Sequence, residues 1–393
     1  MQWSSRRMKT QASKGFGMYE VAARLQSQGA DIIHLEIGRP SVDTPAHIKE
    51  ATKQALDDGI VHYGELNGLG ELRAALAERY TRHYGAACDA DEVLITNGVT
   101  QATFAVFMAA LDEGDEVIVL EPFYPQHNSK IEFAGGKVVP VPMSAVNGRY
   151  APDPERIASA ITPRTKMIVL INPANPCGTV MTREELLSVA KIAEQHDLTV
   201  LSDEVYEFNT FDGRKHINFA SLPGMRERTI TVSAFTKAYA MDGWRIGYAV
   251  GPRHLIADLQ RVTMNCTTHT NIFVQYGALE AVRGSQDCLQ EFLAKDQARR
   301  DIVVSRLNTI PGITCPAPEG TIYAFPDISA LGHSGDVLAH YLLENAHVAV
   351  ESGNFYGSNG GQHLRICFGS EPIERVEEAM ERIEQALKGG LTL

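Results

Sequence analysis

Four polar side chains stand where short apolar runs end. Lys237, in SAFTKAYAMDGWRIGY, follows the run TITVSAF (229–235). Asp203 closes LTVLSD (198–203), and Tyr206 comes three residues later. Asn175, in NPANPCG, follows KMIVLIN (166–172) directly. An amine, a carboxylate, a phenol and an amide can between them hold a proton, release one and orient a polar ligand. A lysine at such a place is most often a solvated side chain, so it is the companions that give Lys237 weight. A second pattern suits an anion. ITNGVTQATF reads strand, glycine turn, helix, which presents backbone N–H groups and a positive dipole end to a phosphate. Alone that turn is weak, because glycine before a helix is common in any α/β chain.

The elements around these residues predict one kind of scaffold. Seven strand candidates follow one another: DEVLIT (91–96), DEVIVLEP (115–122), KVVPVPM (137–143), KMIVLIN, LTVLSD, TITVSAF and GYAV (247–250). Helical patterns such as TQATFAVFMAALDEG and TREELLSVAKIAEQH lie between them. Near-continuous apolar strands separated by helices predict an α/β fold, a mostly parallel sheet covered on both faces. Ligands of such sheets bind at the carboxyl ends of the strands. Beyond a helical stretch at 285–308, strand-like segments (TIYAFPDI, HVAVES, HLRICFG) and a closing amphipathic helix predict a second, smaller α+β unit. The expected division is a large domain over 46–285, with 1–45 and 286–393 forming the small one.

With these pieces in order, the chain resembles the fold-type I enzymes that use pyridoxal 5′-phosphate (PLP), specifically the aspartate-aminotransferase-like class I/II aminotransferases. The match is collinear from LEIGRP near residue 35 to HLRICFG near residue 365, with six motifs in sequence. The resemblance implies a transaminase that moves an amino group between an L-amino acid and a 2-oxo acid. It implies that Lys237 carries PLP as a Schiff base and, once freed, shuttles the substrate's α proton. Asp203 would keep the pyridine nitrogen protonated, since an opposite charge favours the charged form. Tyr206 and Asn175 would hold the cofactor's phenolic oxygen. Val99 and Thr100, with Gly98 or Gln101 as further candidates, would line the phosphate turn. Arg245, Thr236 and Ser233 would add phosphate contacts, and Tyr124 would stack on the ring. Tyr63, in HYGELNGLG, matches a tyrosine that reaches the phosphate of the neighbouring subunit, which implies a homodimer with shared active sites. Arg365 and Gly38 would take the substrate's α-carboxylate, where a planar guanidinium suits a bidentate grip, and Asn175 would also contact the substrate. His127 would orient Asp203, or it is a structural histidine.

The chain departs from the family pattern at several places. Ala234 stands where a serine is frequent, Arg39 follows Gly38, Asp242 sits in AYAMDGW, Ser352 replaces a Pro–Gly pair and Cys177 a threonine. Thr100 occupies a position where aspartate-preferring members carry lysine, which argues mildly against a dicarboxylate substrate. Asp242 could pair with a cationic substrate such as arginine, or cap a turn at a dimer contact. The same residues would also serve an oxygen-using oxidase, a lyase or a cyclising synthase.

Bulk properties exclude other classes. The 393 residues carry 48 acidic and 36 basic side chains, a net charge of −12, which argues against a nucleic-acid or anionic-membrane surface. Six scattered cysteines form no CxxC pair and no zinc spacing, so no metal and a reduced, cytoplasmic setting are expected. The opening MQWSSRRMKT has no apolar run behind it, so no secretion signal is expected.

Overall fold

The computed structural model of the chain describes residues 3–5, 7–8 and 17–388. Residues 1, 2, 6, 9–16 and 389–393, part of the expected small domain and of the opening segment, lie outside the described residues. The strands in chain order are β1 (Ile33–His34), β2 (Val93–Thr96), β3 (Glu116–Glu121), β4 (Lys137–Pro142), β5 (Ser144–Val146), β6 (Arg149–Ala151) and β7 (Thr165–Ile171). They continue with β8 (Thr199–Asp203), β9 (Thr229–Ala234), β10 (Gly247–Val250), β11 (Tyr323–Ala324), β12 (Val348–Ala349), β13 (Glu351–Ser352) and β14 (Leu364–Cys367).

Seven strands form one sheet in the order β2-β10-β9-β8-β7-β3-β4. All seven apolar runs expected as strands are in it. Only β10 runs against its neighbours. Alternate residues pack on opposite faces, as strand geometry requires. Ile118, Leu120, Ile168 and Leu170 meet Leu186 and Val189 of the helix Arg183–Gln195. Val117, Val119 and Val169 meet Val106 and Phe107 of the helix Gly98–Ala110. The helix Arg183–Gln195 starts where it does because Thr182 and Glu185 cap each other's backbone N–H groups.

The antiparallel β10 matters for the site. Its first residue, Gly247, pairs with Ala234 at the end of β9 and with Thr96 at the end of β2. The segment 235–246 therefore stays at the carboxyl edge of the sheet, and Lys237 and Arg245 both lie on it.

A second core surrounds β11-β14-β13 and the pair β1-β12. The amphipathic helix Ile373–Leu387 buries Val376, Ala379, Met380 and Ile383, a spacing of three and four residues. Met18, Ala22, Ile33 and Leu35 from the chain's beginning join that core. Asp31 fastens the two ends, accepting from Arg375 Nη2 at 2.7 Å and Arg382 Nη2 at 2.5 Å. The strand-like segments here are shorter than their sequence suggests. TIYAFPDI gives only Tyr323–Ala324, because Pro326 has no N–H for the ladder. HVAVES breaks at Val350, where the chain leaves β1 and turns to pair with β14.

Candidate active site

A cavity of about 600 Å³ opens at the carboxyl edge of the large sheet, between it and the second core. Lys237 sits in the short helix Phe235–Ala238 that follows β9. Its Nζ donates to the Gly38 carbonyl oxygen and lies 5.7 Å from the centre of the Tyr206 ring. Burial lowers the amine from its usual 10.5 to about 8. Gly38 itself cannot carry a side chain, since a Cβ there would overlap the Tyr323 hydroxyl.

Asp203, the last residue of β8, is buried on the cavity wall. His127 Nε2 lies 3.0 Å from its Oδ2. A carboxylate only accepts, so this ring nitrogen is the donor. The imidazole is fully buried, and burial lowers its pKa although Asp203 pulls the other way. His127 is thus in contact with Asp203, as the orienting role needs. Tyr124 packs edge-on to His127 with ring centres 5.4 Å apart.

Tyr206 and Asn175 also line the cavity, but each has a partner within the protein. The Tyr206 hydroxyl donates to the Tyr323 hydroxyl at 2.8 Å. Asn175 Oδ1 lies 3.5 Å from Arg365 Nη1. Arg365 also donates from Nη2 to the Glu36 carbonyl, and its guanidinium lies 4.4 Å and 4.9 Å from the ring centres of Tyr323 and Tyr356. Two aromatic faces hold a cation flat and leave its edge for a carboxylate.

At the other end, Gly98 takes φ +76° at the start of the helix Gly98–Ala110. A Cβ on it would press on Arg245 Nη2 at 2.8 Å. The bare glycine therefore brings the guanidinium against the helix N-terminus. Arg245 is held there by its own Nη1 donating to the Asp242 carbonyl at 2.8 Å. Val99, Thr100 and Thr236 line the same end. Gln101 does not, since its amide is tied to Asn97 N and Thr267 Oγ1.

Two expected residues stand elsewhere. Ser233 points to the opposite face of β9, where its hydroxyl donates to Glu207 Oε1 at 2.9 Å. The alternation of β9 puts Ser233 and Ala234 on opposite faces, so Ser233 does not make good the serine that Ala234 replaces. Tyr63 is 91% exposed and packs edge-on to His269 in a surface groove away from the cavity of its own chain.

The cavity also contains residues not singled out in the sequence: Tyr19, Glu36, Lys130, Tyr323 and Glu351. Lys130 lies three residues past His127 on one helix face, a spacing that could have flagged it. Its Nζ donates to Thr103 Oγ1 at 2.7 Å, and burial lowers it to about 8.

Comparison with known proteins places this geometry in context. The family model described as aminotransferase class I and II matches residues 30–383. An aspartate aminotransferase of Pyrococcus horikoshii is 37% identical over 95% of this chain and 94% of its own. An arginine–pyruvate transaminase of Pseudomonas aeruginosa is 37% identical over 93% of this chain and 92% of its own. The solved aspartate aminotransferase of Thermus thermophilus with maleate superposes with a TM-score of 0.93 at 36% identity, covering 98% of this chain and all of that one.

Proposed function

The chain belongs to the class I and II aminotransferases and is an amino-group-transferring enzyme, and from that premise we propose that it works with PLP held by Lys237. The observation that carries the reading is one cavity lined by Lys237, Asp203, Asn175, Arg245 and Arg365 together. Its volume of about 600 Å³ suits a cofactor and an amino acid side by side. The bare Gly98 turn facing Arg245 fits a phosphate, and the Asp203–His127 pair fits a protonated ring nitrogen.

When bound, PLP supplies an electron sink for the bond broken at the substrate's α carbon. The protein supplies the rest. Arg365, flat between two tyrosine rings, grips the α-carboxylate and fixes the α carbon beside Lys237. The lowered pKa of Lys237 gives a fraction of neutral amine near pH 7, and Nζ takes the α proton in that form. His127 holds the Asp203 carboxylate in one orientation. Asn175 and the Tyr206 hydroxyl would hold the cofactor's phenolic oxygen. Tyr63, exposed in the single chain, serves the phosphate of a second copy, so the working unit is a homodimer. The substrates are an L-amino acid and a 2-oxo acid, and the setting is the cytoplasm. Among the described residues no helix is long and apolar enough to cross a membrane. The relatives named above are transaminases or aminotransferases, which gives the oxidase, lyase and synthase outcomes no support.

Lys237→Ala tests the reading. The purified wild-type protein should absorb in the visible and transfer amino groups to a 2-oxo acid without consuming oxygen, and the variant should do neither. Visible absorbance surviving in the variant without added amine would overturn the assignment of Lys237.

A further inference from the structure

One wall of the cavity has no part in that mechanism. Glu36 follows β1 and Glu351 opens β13; both line the cavity, and they are only 2% and 6% exposed. Glu36 Oε1 meets His34 Nδ1 at 2.8 Å, but its Oε2 is buried with no partner among the described residues. Glu351 stands directly across the strand pair from Arg365, so the two side chains share a face. Its Oε2 accepts one long hydrogen bond, 3.4 Å, from Met18 N. Burial pushes the Glu351 carboxyl up to about 7, although the Arg365 guanidinium pulls the other way. Two buried carboxyls short of donors make a costly surface unless something positive fills it. Of the other charged groups at this end, Arg39 is half-exposed and already faces Glu371 at 3.9 Å, His34 is held by Glu36 Oε1, and Arg365 is the group assigned to the substrate's α-carboxylate. With Arg365 engaged by the α-carboxylate, what this wall offers a side chain is acceptors, and a second substrate carboxylate would meet repulsion here.

We propose that Glu36 and Glu351 form the side-chain subsite of this enzyme, selecting an L-amino acid that ends in a guanidinium or ammonium group. The proposal rests on the aminotransferase reading and names its substrate class. A guanidinium has five N–H donors, more than the acceptor sites that either carboxyl leaves open. Tyr19, on the helix Met18–Ser27, forms the outer rim, where the polar end of a long side chain would pass.

The test compares L-arginine and L-lysine with L-citrulline, the uncharged counterpart of arginine, and with L-aspartate, using the full-length holoenzyme and pyruvate as acceptor. Arginine should exceed citrulline in kcat/KM by about tenfold or more, because a site built for a charged donor is left unpaired by a neutral one. In Glu351→Gln and in Glu36→Gln that ratio should fall by roughly tenfold. Calorimetry with δ-guanidinovalerate, which has no α-amine to react, should show the same loss of binding in each variant. Preference for aspartate, or an arginine-to-citrulline ratio near one, would sink the subsite while leaving amino transfer intact. A ratio unchanged in both variants, with only a lower melting temperature, would make Glu351 a cap for the helix Met18–Ser27 and also overturn it. If no amino acid transfers its amino group, the reading beneath fails and the subsite fails with it.

Discussion

Replacing Lys237 with methionine in cofactor-free protein should change how stability responds to pH, and the sign should reverse. The amine falls from its ordinary 10.5 to about 8 in the folded chain because it is buried. Between those two pH values the unfolded chain binds more protons than the folded one, so the lysine's contribution grows more favourable as pH rises. Below about pH 8 both states carry the ammonium and the folded state bears the full desolvation penalty. The difference, 10.5 minus 8, corresponds to about 3 kcal/mol at ~1.4 kcal/mol per pH unit. Water admitted to the cavity reduces that figure. Against it stands the hydrogen bond to the Gly38 carbonyl, about 1 kcal/mol, which methionine loses at every pH. The variant should therefore be more stable than wild type by up to about 2 kcal/mol at pH 7 and less stable by about 1 kcal/mol above pH 10.5. Urea midpoints of both proteins, stripped of cofactor and measured across that range, give the difference directly. A difference that stays flat between pH 7 and 10.5 would refute the idea that burial, rather than a fixed contact, sets this amine's affinity for protons.

Three further outcomes follow from the geometry. Asp203→Asn should lower kcat/KM for the preferred amino acid by at least about a hundredfold, and His127→Asn by about tenfold, because the histidine acts only through the carboxylate; equal losses in steady-state assays would contradict that ranking. Gly38→Ala should cost about 1–3 kcal/mol in denaturant stability through collision with the Tyr323 hydroxyl, and adding Tyr323→Phe should recover part of it. Mixing inactive Tyr63→Ala and Lys237→Ala subunits should restore activity, since one of the two shared sites in a mixed dimer is then intact; no recovery after refolding the mixture would place Tyr63 outside any partner's site.

Much of the scaffold was legible in the sequence because the sheet strands are buried on both faces. Runs such as TITVSAF and KMIVLIN have few other places to go, and Lys237, Asp203 and Asn175 then fall at one edge by strand direction alone. The reversal of β10 was not legible, since a four-residue apolar run has no direction in its composition. Ser233 was misjudged because a hydroxyl near a lysine in sequence can point to the opposite face of a strand, and here it serves Glu207. Glu36 and Glu351 stayed hidden for a different reason. They lie more than three hundred residues apart, and only the pairing of β1 with β12 and of β13 with β14 brings them to one wall.

That wall has a consequence for how the molecule comes into being. Arg365 and the Glu36 carbonyl are joined across 329 residues of chain, and Asp31 is fastened to Arg375 and Arg382 near the far terminus. All seven strands of the large sheet, and Lys237 beside them, lie within the first 250 residues, well ahead of β14. The contact between Arg365 and the Glu36 carbonyl cannot form until β14 has left the ribosome. A chain clipped between Val250 and Leu364 keeps every strand of the large sheet and loses Arg365, so the two sides of the cavity are separable by a single cut.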